Sequence, residues 1–212
     1  MIKAILFDVG GVLHKSDTAV GDDMQRELGL TPGQIEEIWS TLIPRMGVGQ
    51  LDEADFWDEI RQKYRVRRVS PDEKLLSRAF ARELKQNKQL LDVAKQLREA
   101  GLRVAVLSDT NKLHAAVLEA AGSYKPFAYR FLSHEVGIRK PDPRIFQHAL
   151  KVLDVKPSES IFIDDSAKNV AAANALGIHG IQFNDTEQVF SELTDLLPYI
   201  KLELRPANQI TL

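Results

Sequence analysis

The sequence predicts an α/β fold: a parallel sheet with helices on both faces and a helical segment inserted after the first strand. Three observations predict it. The 212-residue chain opens on a short apolar run that ends at paired glycines. From about Leu90 onward, apolar runs of strand length alternate with segments of helical period. Between these regions, the residues from about His14 to Gln86 carry helical spacing and helix-capping signals throughout. Alternation of strand and helix implies crossover units and a parallel sheet, and the first run belongs with that sheet. The length exceeds one average domain and falls short of two, as expected of a single core with a sizeable insertion.

The elements follow in order. Ile5, Leu6 and Phe7 form a brief run that lacks helical spacing and stops at Gly10 and Gly11, so they read as a buried strand with Asp8 at its exposed end. In "TPGQIEEIWSTLI", Thr31 is the N-cap, Pro32 the first helical residue and Gln34 the partner in a capping box. Ile35, Ile38, Trp39, Leu42 and Ile43 then form one apolar face. "GVGQLDEADFWDEIRQKY" supplies a glycine break and a helix capped by Asp52. "SPDEKLLSRAFAREL" repeats the capping device with Ser70, Pro71 and Glu73, followed by Leu75, Leu76, Ala79 and Phe80. Beyond it, "QLLDVAKQLREAG" is a helix closed by Gly101, and "RVAVLSDT" is a buried strand with a polar end. The helix "KLHAAVLEAAG", a strand near "YRFLS", the helix "DPRIFQHALKVL" and the strand "SIFIDDS" come next. The helix "AKNVAAANALG", the strand "GIQF" and the helix "TEQVFSELTDLL" complete the pattern.

Composition narrows the function classes. Hydrophobic residues make up 44% of the chain, enough for a packed interior. The 28 basic and 30 acidic residues nearly cancel, and no basic stripe is interleaved with aromatics, which argues against nucleic acid or an anionic membrane as partner. The absence of cysteine excludes disulfides, thiolate metal sites and thiol nucleophiles, and it fits a reducing compartment. A single lysine before a very short apolar run does not make a signal peptide or a membrane span. The expectation is a cytoplasmic protein, monomer or homodimer.

In Rossmann-like sheets, ligands bind outside the carboxyl ends of the strands. The residues that follow each apolar run are therefore the informative ones. The first strand delivers Asp8, "VAVL" delivers Ser108, Asp109, Thr110 and Asn111, and "IFI" delivers Asp164, Asp165 and Ser166. Lys140 lies in the loop "GIRKPDPRIF". An acid, a hydroxyl, an ammonium and an acid pair thus converge on one crevice. This set suits phosphoryl transfer. A carboxylate nucleophile and a phosphate dianion repel each other unless a divalent cation bridges them, and hard oxygen ligands suit magnesium. Lys140 neutralises remaining charge, and Ser108 with backbone amides holds the phosphoryl oxygens. The product of attack is an aspartyl-phosphate. Each residue also has a plain structural role open to it: Asp8 as a turn residue, Ser108 and Thr110 as caps, Lys140 as a solvated lysine, "DD" as a helix start.

In that order, "LFDVGGVL", "VLSDTN", "GIRKPDPRIF" and "IFIDDSAKNVAAANALG" resemble the four motifs of the haloacid dehalogenase superfamily. The insertion resembles the family's small helical cap, and "GVGQLDEADFW" resembles the branch of sugar phosphatases and epoxide hydrolase N-terminal phosphatase domains. The resemblance implies a core of residues 1–14 and 87–212, a cap of residues 15–86 and Mg2+ as cofactor. It makes Asp8 the nucleophile and a metal ligand, Ser108 and Lys140 the phosphoryl-binding pair, and Asp165 the direct metal ligand. Asp164 supports the metal shell, and Gly10 contributes a backbone carbonyl. Asp109, Thr110, Asn111, His14 and Arg45 are candidates for substrate contact, with Trp39 beside Arg45 unless it belongs to the cap core.

Two departures matter. Phosphatases of the superfamily usually carry a second aspartate where Gly10 stands, and losing that acid/base group costs roughly 10²–10⁴ in rate. Asp109 replaces a common asparagine, and its charge must be paired or turned away from a phosphate. The leading expectation is a magnesium-dependent phosphatase acting on a small phosphorylated metabolite, with a sugar phosphate favoured. His14 is the alternative proton donor. A regulatory phosphate-binding domain, weak in catalysis because of Gly10, is the second expectation. A haloacid dehalogenase is the third; it would have no need of magnesium or of the Asp164/Asp165 pair.

Overall fold

The computed structural model describes residues 1–15, 19–66, 75–82 and 84–210. The expected caps at Ser70, Pro71 and Glu73 lie outside these residues. In chain order the elements are β1 (Ala4–Phe7), α1 (Ala19–Leu28), α2 (Pro32–Gly47), α3 (Glu53–Tyr64), α4 (Leu75–Arg82), α5 (Lys88–Glu99) and β2 (Arg103–Ser108). There follow α6 (Lys112–Ala120), β3 (Tyr129–Leu132), α7 (Ser133–Val136), α8 (Pro143–Leu153), β4 (Ser160–Asp164), α9 (Ala167–Ala175), β5 (His179–Gln182) and α10 (Thr186–Leu196).

The five strands form one parallel sheet in the order β3-β2-β1-β4-β5. β1 lies at its centre because its residues, all buried, are apolar on both faces. Ile5, Phe7, Val104 and Val106 pack with Leu91 of α5 and Leu193 of α10 on one face. Ala4, Leu6, Leu107 and Phe162 pack with Ile145 and Phe146 of α8 on the other. Phe7 is level with Val106 on one side and Ile163 on the other. Asp8 therefore leaves β1 at the centre of the sheet's carboxyl edge, between the ends of β2 and β4, and its N–H donates to the Ile163 carbonyl at 2.8 Å.

Helices α1 to α4 form a third apolar cluster around Met24, Ile38, Phe56, Trp57, Ile60 and Leu76. The expected capping box at Thr31 and Gln34 is present, and the Asp52 carboxylate accepts the Asp55 N–H at 2.9 Å. Where the chain enters and leaves this insertion, the Lys15 N–H donates to the Lys85 carbonyl at 3.2 Å, and His14 bridges to Gln86. No helix among the described residues is long and apolar enough to cross a membrane.

Three expectations need correction. Trp39 is 36% exposed, at the edge of the α2 apolar face, while Ile35, Ile38, Leu42 and Met46 face the core. At 3.6 residues per turn, Trp39 lies about 100° round the helix from Ile38, and Met46, beyond the expected face, completes the buried row. β5 begins one residue earlier than "GIQF", at His179. The short helix α7, between β3 and the Lys140 loop, was not anticipated, because four residues carry no periodic signal.

Candidate active site

The carboxyl ends of β1, β2 and β4 bring the expected residues to one place. Lys140, 6% exposed, reaches in from the loop before α8. Its Nζ lies 2.6 Å from Asp8 Oδ1 and 2.7 Å from Asp164 Oδ2, and it also donates to the Leu107 carbonyl at 2.9 Å. Burial alone would lower the lysine's pKa, but the facing carboxylates of Asp8 and Asp164 outweigh it and hold the ammonium charged. Desolvation pushes Asp8 up to about 7; Lys140 opposes this rise and the Asp164 charge adds to it.

Asp164 is fully buried and fully engaged. Its Oδ1 accepts the Ser166 N–H at 2.8 Å, the Asn169 amide bonds both carboxylate oxygens at 3.0 and 3.1 Å, and Lys140 takes Oδ2. Asp165 is exposed; burial of part of its carboxylate, then the Asp164 charge, raise its pKa against the smaller opposing effect of nearby backbone N–H groups and Lys140. The Asp165 carboxylate lies over Gly11, where an added Cβ would stand 2.1 Å from Oδ2. Gly11 also holds φ +79, so both space and backbone call for glycine there.

Asp8, Asp164 and Asp165 each offer an oxygen within 4.8 Å of the others. These residues fit a divalent cation. All the donors are hard oxygens, the span is close to the roughly 4.2 Å between opposite ligands of magnesium, and three carboxylates against one ammonium leave two negative charges to neutralise.

The other expected residues are placed as follows. Ser108 ends β2 and is buried. Asp109 is paired: it accepts the Lys140 backbone N–H at 3.0 Å, and the Arg139 Nε lies 3.4 Å away. Asn111 is the N-cap of α6, a role that neither Ser108 nor Thr110 takes. Thr110 donates its backbone N–H to Ser133 Oγ at 2.9 Å. Arg45 pairs with Glu59 at 2.8 Å within the insertion. His14 is 4% exposed, and neither ring nitrogen has a hydrogen-bond partner among the described residues. Burial, then the neighbouring His114, lower its pKa to about 4, so the ring is neutral at pH 7. Gly10 lies in the same turn, bridged to His14 through the backbone.

Sequence reasoning did not single out Asn169, Arg139 or Ser133. Asn169 had a signal: it lies five residues after Asp164, where the first turn of a following helix returns to the strand end. The other two had none, because their partners lie about 30 and 86 residues away.

The haloacid dehalogenase-like hydrolase family matches residues 2–177, most of the chain. The chain belongs to the haloacid dehalogenase-like hydrolases. This hydrolase is 32% identical to acyl-CoA dehydrogenase family member 10 of Mus musculus over 93% of its own length, but it spans only 19% of that protein. It is 28% identical to D-ribitol-5-phosphate phosphatase of Bacteroides thetaiotaomicron, over 93% of this chain and 99% of that one. A family enzyme of Bacteroides thetaiotaomicron, solved with magnesium and inorganic phosphate, superposes with a TM-score of 0.76 at 28% identity, covering 90% of this chain and all of that one. Relatives at 26–28% identity carry both phosphatase and haloacid dehalogenase names.

Proposed function

We propose that this hydrolase is a magnesium-dependent phosphatase acting on a small phosphorylated metabolite, with a sugar phosphate favoured, through an aspartyl-phosphate on Asp8. The observation that carries the reading is the buried Lys140 ammonium held between Asp8 and Asp164, beside the freer carboxylate of Asp165. Magnesium, held by Asp8, Asp165 and the Gly10 carbonyl with Asp164 in support, would screen the attacking carboxylate from the phosphate dianion.

The chain's own residues do the rest. The Asp8 carboxylate attacks phosphorus, and the bond from phosphorus to the leaving oxygen breaks. Lys140 offsets the charge gathered on the phosphoryl oxygens, and the Ser108 hydroxyl with nearby backbone amides holds them. Asn169 fixes Asp164, and Asp164 fixes Lys140, so the ammonium is oriented before substrate arrives. Water then attacks phosphorus and releases inorganic phosphate and the Asp8 carboxylate. Gly10 offers no proton to the leaving oxygen, and the neutral His14 ring is a weak acid at pH 7. Leaving groups of low basicity, such as an anomeric sugar oxygen or an acyl phosphate, lose least by this.

The partition into a core of 1–14 and 87–212 and a cap of 15–86 is part of the proposal, supported by the separate apolar cluster of α1–α4. Phosphate release from a panel of sugar, nucleotide, terpenyl and acyl phosphates tests it, with magnesium and with chelator. Magnesium-dependent release that disappears in Asp8→Asn is the expected result. Turnover retained in Asp8→Asn removes the nucleophile, and chloride release from a haloacid in chelator returns the dehalogenase reading. A long-lived acyl phosphate without turnover makes the chain a regulatory domain.

A further inference from the structure

Among the described residues, the contacts that seat the helical insertion on the sheet unit outside the linkers include two with defined geometry. One is a ring stack: Phe80 of α4 lies on His114 of α6 with centroids 4.6 Å apart. The other is polar and buried. Ser133, the first residue of α7, is 0% exposed. Its Oγ accepts the Thr110 N–H at 2.9 Å and lies 2.6 Å from the carbonyl of Gly47, the last residue of α2. The Thr110 carbonyl lies 3.1 Å from that same oxygen and 3.1 Å from His134 Nδ1. A hydroxyl has one proton to give. With His134 serving the Thr110 carbonyl, the Ser133 proton goes to Gly47, the nearer acceptor. Gly49 closes the contact: it lies so near the His134 carbonyl that an added Cβ would stand 2.5 Å from the oxygen.

We infer that Ser133 is a positioning residue that couples the seating of the helical insertion to the geometry of the Ser108–Asn111 loop. The inference rests on the proposed role of that loop in holding the phosphoryl group. When the insertion is seated, Gly47 fixes the hydroxyl rotor, and a hydroxyl that donates is a stronger acceptor for the Thr110 N–H. When the insertion lifts, the rotor turns to the Thr110 carbonyl and shares that oxygen with His134. The buried oxygen thus keeps a partner in both states, which lowers the cost of lifting, while the loop is held in one arrangement only with the insertion down. Coupling is reciprocal, so an anion that orders the loop also seats the insertion.

Amide hydrogen exchange on the full chain tests this with two variants, Ser133→Ala and Gly49→Ala, whose folding is checked by thermal unfolding. Ser133→Ala is expected to speed exchange at Val48–Gln50 and at Thr110 by roughly tenfold, the effect of losing one buried hydrogen bond. Gly49→Ala keeps the Ser133 hydroxyl, yet its Cβ, 2.5 Å from the His134 carbonyl and strained at φ +71, makes the insertion and α7 part, so coupling requires faster exchange at Thr110 there too. Faster exchange at Val48–Gln50 in Gly49→Ala with Thr110 unchanged overturns the inference, as does unchanged exchange at Val48–Gln50 in Ser133→Ala. If Ser133→Ala does not fold, the Gly49→Ala comparison decides alone.

Magnesium with inorganic phosphate is expected to protect Val48–Gln50 in the wild type and to lose most of that effect in Ser133→Ala. In turnover, Ser133→Ala should lower kcat/KM about tenfold, chiefly through KM, because seating is linked to binding. A fall in kcat alone, without altered exchange, counts against coupling. If the wild type neither binds phosphate nor releases it, the functional reading fails, and the phosphate-free exchange comparison still decides whether insertion and loop are coupled.

Discussion

Replacing Lys140 with methionine keeps the side-chain volume and removes one charge. Asp8 and Asp164, 8% and 0% exposed, then face each other without the ammonium that lies 2.6 and 2.7 Å from them. Removing one partner of a buried ion pair costs about 3–5 kcal/mol. For a chain of this size that is roughly 6–20 °C in Tm. The cost depends on pH, because Asp8 already titrates near 7 with the lysine in place and rises further without it. The unfolded carboxyl group has given up its proton above about pH 4, so in the variant the folded state holds more protons than the unfolded state across the neutral range. Stability of Lys140→Met is therefore expected to fall as pH rises from 5 to 8, with the full loss at pH 8 and less at pH 5. Urea unfolding at both values, without and with magnesium, measures it. A loss of equal size at pH 5 and pH 8 refutes the reasoning, since lost packing rather than an uncompensated charge would then be the cause.

Gly11→Ala places a methyl group 2.1 Å from Asp165 Oδ2 on a backbone at φ +79, so calorimetric titration should show magnesium affinity falling roughly 10–100-fold. Unchanged affinity would take Asp165 out of the metal site. His14 and His114, both lowered to about 4 by burial, stay neutral in the folded state while the unfolded rings charge below about pH 6.5. Stability is thus fully present above pH 6.5 and lost as pH falls toward 4, by about 3 kcal/mol for each ring. Urea midpoints in His14→Leu should show a shallower acid limb. Gly10→Asp restores a proton donor beside Asp8 and should raise kcat by up to roughly 10² for substrates with strongly basic leaving groups, with little change for acyl phosphates. An equal rise for both classes would mean that the new carboxylate does something other than protonate the leaving group.

The local signals in the sequence translated directly into structure. Thr31 with Gln34, and Asp52, are caps because they satisfy backbone N–H groups a few residues away, and such bonds are written in neighbouring residues. Asp8, Ser108 and Asp164 were legible because each follows an apolar run, and a parallel sheet gathers the carboxyl ends of its strands at one edge; Lys140 was legible as a lysine in a Pro-marked loop ahead of a helix. Trp39 misled because helical spacing places it beside the buried row but does not say how wide that row is. The partners of Asp109, Ser133 and Arg139 were illegible for another reason. Arg139 and Lys140 face Asp109 across a loop, and Ser133 meets Gly47 only once the insertion has docked, so no spacing along the chain encodes either contact.

The position of β1 has a consequence for how this chain comes to fold. Ala4 aligns with Arg103 on one side and Ser160 on the other, so β1 is made well before either of its neighbours. At about 5–20 residues per second, synthesis runs for roughly 8–30 s between the emergence of β1 and that of β4. Until β2 follows, roughly 5–20 s after β1, the four apolar residues of β1 have no edge to join, while the helices between the two strands can bury their own side chains. The insertion thus fills the wait with local contacts, and the sheet closes around β1 only once β4 has been made.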